Sequence, residues 1–175
     1  MRRWSSRRPV LSFLIVFGVL MGVFYASAVF TPAYRGSMAS WLPFNARVSG
    51  ALLSVVEQDV TVSGASITSP RFSVDVKPEC SAVEPMAFLT CAILAFPAPL
   101  RRKIFGILAG AAAVTVLNIV RIASLFLVGV YDPDRFKMMH LEIWQVLFIV
   151  CAVVFWLLWM QWTTTNQKTS VHAGL

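Results

Sequence analysis

The sequence predicts an all-α integral membrane protein: about four transmembrane helices, a small extracytoplasmic β-hairpin and an interfacial amphipathic helix. Three observations carry this. Of 175 residues, 58% are hydrophobic and 13% charged, with a mean hydropathy of +0.73, too little polar surface for a soluble domain of that size. Three apolar runs are long enough to cross a hydrocarbon core of about 30 Å, and a fourth is shorter. The charge is also partitioned. Arg2, Arg3, Arg7 and Arg8 precede the first run, and Arg101, Arg102 and Lys103 separate the second from the third. The acidic residues lie in or beside the other two connections, a positive-inside pattern with a cytoplasmic N-terminus. The net charge of +7 is therefore a topology signal, and no nucleic-acid partner is expected. Residues 1–175 are expected to form a single membrane domain, with spans near 10–30, 81–96, 104–130 and 142–162 and an extracytoplasmic segment at 34–80.

The first run, Val10 to Phe30, exceeds the usual signal-peptide core of about 7–15 residues. It reads as a retained helix despite Ser6-Arg7-Arg8 before it and Ala26-Ser27-Ala28 near its end. Over 34–56, Trp41, Leu42, Phe44, Val48, Leu52, Leu53, Val55 and Val56 recur at roughly helical spacing, with Asn45, Arg47 and Ser54 between them. This pattern suits an amphipathic helix at the outer interface. It is either a ledge guiding a membrane-embedded substrate or a linker helix packed on the bundle, and the linker is preferred. In 57–79, Val60, Val62, Ile67, Phe72, Val74 and Val76 alternate with polar residues, punctuated by Gly64 and Ser69-Pro70. That predicts a β-hairpin outside the membrane.

The second span, from Ser81 to Phe96, is apolar except for Glu84. Pro85 sits in its first turn, where proline is tolerated, and Pro97 and Pro99 end it. The third opens with Gly106, Gly110 and Ala111 to Ala113, residues that let helices pack closely, and then carries Asn118 and Arg121. Arg121 lies 17 residues beyond Ile104, about 25 Å along a helix, which puts it in the outer third. An outside loop is expected at Tyr131–Lys137. The fourth span then starts near His140 and Glu142 and carries Trp144, Trp156, Trp159 and Trp162 toward its ends. Residues 163–175 read as a polar tail.

Of the three cysteines, Cys91 and Cys151 fall inside apolar runs and read as small buried residues. There is no CxxC and no His/Cys metal spacing, so neither a metal nor another cofactor is expected. Cys80 is the one near water, at the outer mouth of the second span. Arg121 and His140 reach the same depth on the third and fourth. A thiol, an imidazole and a fixed cation at one level are what thiol acyl transfer needs: nucleophile, proton carrier and oxyanion or carbonyl stabiliser. An arginine within a span is a functional-site candidate in its own right, with snorkelling or a structural pair with Glu84 as the bland alternatives. Asn118, one turn before Arg121, orients Arg121 or the substrate backbone, or makes a plain interhelical hydrogen bond. Glu84, one turn after Cys80, pairs with Arg121 or orients His140.

These residues resemble the exosortase/archaeosortase family of membrane-embedded cysteine transpeptidases. The matching features are Cys80 in Pro-Glu-Cys-Ser-Ala, Asn118-Ile119-Val120-Arg121, and His140 opening a later span. The compact size and Glu-Cys-Ser-Ala-Val-Glu-Pro look most like the short exosortase H branch. The resemblance spans roughly residues 75–162. Many members have Cys-Ser-Gly where this chain has Ala82, and longer members have more spans. The resemblance implies catalytic roles for Cys80, Arg121 and His140. It implies substrates that are membrane-anchored proteins with a C-terminal sorting signal: a short motif (resembling Ile-Pro-Thr-Leu-x-x-Trp-Gly in branch H), a transmembrane helix and a basic cluster. A thioacyl enzyme would be resolved by water or by an amine- or lipid-bearing acceptor. The implied location is a bacterial inner membrane, with the site facing the periplasm. Two rivals stand beside this reading: a non-enzymatic membrane subunit and a small anion-handling transporter. A thiol–disulfide oxidoreductase fits worst, because no resolving cysteine lies near Cys80.

Overall fold

In the computed structural model of the protein, residues 7–57 and 59–172 are described, with backbone alone for 7–9 and 166–172. The basic N-terminal side chains therefore lie outside the described residues. Helix α1 (Arg7–Phe30) runs through the first apolar stretch and presents Val10, Leu11, Leu14, Val19 and Val23 outward, as a helix bathed in lipid does. After Thr31, Pro32 starts α2 (Pro32–Leu53) at the first helical position, where its missing N–H removes no bond.

The face that α2 buries is not its large apolar one. Met38, Asn45, Ala46, Ser49, Gly50 and Leu53 turn inward, whereas Phe44 and Leu52 stay exposed. Small side chains let the α2 backbone approach its neighbours. A Cβ at Gly50 would stand 2.3 Å from the Val62 side chain. The helix thus packs on the bundle, as the preferred linker reading expects.

The predicted hairpin is a three-stranded antiparallel meander of β1 (Thr61–Ser63), β2 (Ser66–Thr68) and β3 (Ser73–Asp75) in that order. Gly64, at φ +60°, supplies the two-residue turn that closes β1 on β2. Ser69-Pro70, read from the sequence as punctuation, starts a second turn. There the Ser69 hydroxyl accepts from Phe72 N–H at 3.3 Å, and β3 folds back on β2. Ile67 (fully buried) and Val76 point inward with Ala46, Leu53, Ile122 and Phe126, which fastens the sheet to α2 and the next long helix.

A single 3₁₀ turn, Pro78–Cys80, leads into α3 (Val83–Ala95). Its 13 residues span about 20 Å, well short of the hydrocarbon thickness. Helix α4 (Leu100–Tyr131) is buried along one stripe: Gly106, Gly110, Val114, Asn118, Arg121, Leu125 and Gly129. Those steps of three or four keep one face inward for the whole length. The Gly106 and Gly110 positions are contact points, because a Cβ there would meet Trp159 at 2.3 Å and Leu89 at 2.7 Å.

The loop expected at Tyr131–Lys137 shrinks to Asp132. Pro133 restarts the chain at once as α5 (Pro133–Met138), which passes through a π-turn (Met139–Ile143) into α6 (Trp144–His172). The fourth helical run therefore begins at Pro133 rather than near 142, and it continues through the segment expected to be a tail. Three runs are long and apolar enough to cross a membrane: Val10–Phe30, Leu100–Tyr131 and Pro133–Thr165. Val83–Ala95 is the shorter apolar helix, and it packs between α1, α4 and α6.

Candidate active site

Cys80 closes the 3₁₀ turn and is half-buried at the mouth of α3. The turn is tightly made. Cys80 N–H donates to Lys77 C=O at 2.8 Å, and the Ser81 hydroxyl donates to Pro78 C=O at 2.6 Å. Ala82 then takes the left-handed conformation, φ +57°, before α3 begins. This explains why glycine would suit the position, since a Cβ is disfavoured there. Ala82 accepts the strain while burying its methyl.

His140 comes from the π-turn. A π-turn is one residue wider than an α-turn and recurs at functional sites. Here it brings His140 Nε2 to 3.8 Å from Cys80 Sγ. The ring lies parallel to Phe136, with centroids 5.8 Å apart and planes 5° from parallel. His140 Nδ1 is buried without a hydrogen-bond partner, so stacking, and no carboxylate, holds the imidazole.

Arg121 is 9% exposed. One Nη donates to the His140 carbonyl at 3.5 Å, and the guanidinium lies over Phe148, 5.5 Å from the ring centre. Arg121 Nε is buried and has no partner, a donor left for something else. Burial pushes the Cys80 thiol above its ordinary pKa, the Arg121 charge pulls it back down in part, and Glu79 opposes that pull.

Cys80, Arg121 and His140, singled out from sequence, come together on one cavity of about 320 Å³, whose other wall is β3 and Lys77. Asn118 and Glu84 do not join it. Asn118 is fully buried one turn below and donates to Asn45 Oδ1 on α2 at 3.1 Å, the interhelical alternative of the sequence reading. Glu84 is exposed. It pairs with neither Arg121 nor His140: among the described residues the one ion pair within 4 Å joins Arg135 and Asp132 at 3.0 Å. Glu84 instead shares with Arg121 a second, largely apolar cavity of about 480 Å³ between α1, α3 and α6, lined by Tyr25, Phe88 and Phe148. Among the described residues no group of His, Cys, Asp or Glu is arranged to hold a metal ion.

Sequence reasoning missed two supports. Trp41 on α2 donates its indole N–H to the Ser81 carbonyl at 2.9 Å, one residue past Cys80. Asn45, one turn on, donates to Trp41 C=O at 2.9 Å and accepts from Asn118. The sequence signal was a Trp and an Asn spaced at i and i+4. It is indistinguishable from an interfacial pattern until α2 is seen against α4.

Residues 9–157 match the sequence profile of a protein family described as transmembrane exosortase (Exosortase_EpsH). No curated protein and no solved structure matches the chain.

Proposed function

Because the chain belongs to the transmembrane exosortase family, we propose that it is a membrane-embedded cysteine peptidase and transpeptidase that cleaves C-terminal sorting signals. The carrying observation is the 3.8 Å approach of Cys80 Sγ to His140 Nε2, with Arg121 on the same cavity. Resting thiol–imidazole geometry of this length tightens when substrate binds.

The reaction begins with a neutral thiol. His140 Nε2 accepts the Cys80 proton as sulfur attacks the scissile carbonyl carbon. The carbonyl oxygen becomes an oxyanion, and the unpartnered Arg121 Nε–H and the guanidinium charge stabilise it. The C–N bond then breaks, and the His140 imidazolium returns its proton to the leaving amine. The thioester on Cys80 is resolved when water, or an amine- or lipid-bearing acceptor, attacks it with His140 again as base. The substrates are membrane-anchored proteins, and the lateral apolar cavity that meets the site at Arg121 suits a substrate's transmembrane helix approaching through the bilayer. The protein acts in a bacterial inner membrane, with the site at the periplasmic face. The non-enzymatic reading leaned on an Arg121–Glu84 pair, and that pair is not made.

The test is co-expression with a membrane-anchored reporter ending in an Ile-Pro-Thr-Leu-x-x-Trp-Gly motif, a transmembrane helix and a basic cluster. Wild type shortens the reporter, while Cys80→Ala and His140→Ala leave it whole. Arg121→Ala slows processing by a factor of at least about 100, the usual loss for one oxyanion donor. A thioester-linked reporter fragment on Cys80, captured by mass spectrometry, identifies the nucleophile. Processing by Cys80→Ala would end the proposal.

A further inference from the structure

Strand β3 lies at one edge of the meander, with β2 on its inner side. Its backbone hydrogen bonds fall on alternate residues. Ser69 N–H donates to Phe72 C=O at 2.8 Å, and Val76 N–H donates to Ala65 C=O at 2.9 Å. The register pairs Val74 with Ile67 between them. In an antiparallel ladder the N–H and C=O of one residue point to the same side, and the next residue's point to the other. Phe72, Val74 and Val76 therefore bond inward to β2, and Ser73 and Asp75 turn their N–H and C=O groups to the open edge. Among the described residues those four groups have no backbone partner.

The open edge faces the site. Every residue from Ser73 to Lys77 lines the cavity that holds Cys80 and His140. Residues from both faces of the strand do so, which means that the cavity runs along the edge and not across one face. The strand's own side chains leave the edge clear, since the Ser66 hydroxyl donates to Asp75 and the Thr68 and Ser73 hydroxyls pair at 3.0 Å, both within the sheet. A free edge of alternating donors and acceptors is complementary to one kind of partner, an extended peptide.

We propose that β3 is the substrate-binding strand. The substrate segment next to the scissile bond adds to it as a fourth strand, hydrogen-bonded to the backbone of Ser73 and Asp75, and is carried along the edge to Cys80. This rests on the reading of Cys80 as a peptidase nucleophile and adds how the peptide is held. Backbone pairing tolerates different side chains, and an extended peptide exposes its carbonyl to the thiol.

Proline separates edge from ladder, because it is accepted in a strand where its missing N–H would have faced outward. Ser73→Pro and Asp75→Pro remove one outward donor each and leave every β2–β3 backbone bond intact, at the loss of one side-chain bond to β2. With the reporter above, each should raise KM about tenfold or more, a loss of about one hydrogen bond to the substrate. Ser73→Ala and Asp75→Ala lose the same side-chain bonds but keep the backbone donors, and each proline variant is compared with its alanine counterpart. The rate at which iodoacetamide alkylates Cys80 should be unchanged in all four, which shows the site still formed. Wild-type KM in both proline variants with normal alkylation would overturn the proposal. Should alkylation reveal a distorted site, the test moves to the substrate. Soluble peptides carrying the reporter's motif, N-methylated one residue at a time, compete for the wild-type enzyme. Loss of competition at every second residue supports strand addition, and loss without that period overturns it. Processing of the reporter by Cys80→Ala would instead sink the catalytic reading, so the two failures are distinct.

Discussion

The Trp41 indole reaches 40 residues along the chain to the Ser81 carbonyl, and Ser81 is almost fully buried. That carbonyl lies one residue past Cys80, so the bond anchors the chain beside the thiol. Asn45 steadies the same helix turn from below through Trp41 C=O and Asn118. Trp41 touches no reacting atom and is a positioning residue. Trp41→Phe keeps the ring and its stacking on Phe44, 5.4 Å away, and removes only the donor. Leaving a buried carbonyl unpaired costs about 1–3 kcal/mol, some of it felt as a misplaced thiol. The expected result is a kcat lowered about tenfold with KM within about twofold, read from reporter kinetics. A merely structural role would lower the amount of folded protein and leave kcat alone.

At the scale of elements, the site is assembled by contacts that tolerate little added volume. Gly129 in α4 stands under Phe72, and a Cβ there would fall 2.3 Å from the ring. Phe72 packs edge-on against Phe126 and obliquely against Phe136, with centroids 5.8 and 5.5 Å apart. Phe136 in turn carries the His140 ring. One methyl on α4 thus presses on the turn before β3 and, through two rings, on the imidazole. Overpacking of this kind costs about 1–3 kcal/mol. Gly129→Ala should lower the thermal midpoint in detergent and slow reporter cleavage. Gly36→Ala, where nothing lies within 4 Å of the new Cβ, should change neither.

For the whole molecule, depth matters more than shape. Lys103 donates to the Leu94 carbonyl at 2.6 Å, so the basic cluster closes the C-terminal end of α3. Cys80 then lies only about 20 Å above it, the length of 13 helical residues. On the topology proposed above, a hydrocarbon core of about 30 Å would leave the thiol below the outer surface, where a bond just outside a substrate's transmembrane helix would arrive. The meander rises above it. In a Cys80→Ala, Cys91→Ala, Cys151→Ala background, Ser63→Cys should react with a membrane-impermeant maleimide in intact spheroplasts. Arg101→Cys should react only after permeabilisation, and the reverse pattern would invert the topology.

Membrane class, the order of apolar helices and the level shared by Cys80, Arg121 and His140 were legible from residue type and spacing. An arginine in an apolar run stands out, and helical rise converts its position into depth. The third strand was hidden because Ser69-Pro70 looks the same whether it ends a hairpin or starts another turn. The left-handed Ala82 was masked by lacking the glycine that would signal it. The π-turn left no mark in composition, since one extra residue per turn changes hydrogen-bond register and not residue type. Which of two asparagine partners Asn118 takes, whether Glu84 meets Arg121, and which edge of the sheet opens on the thiol depend on distances between segments far apart in the chain. Local pattern determined which residues could stand together at one end of the helices. Packing of α2, β3 and the π-turn around it decided which groups meet there, because hydrogen bonds and ring contacts act only over a few ångströms.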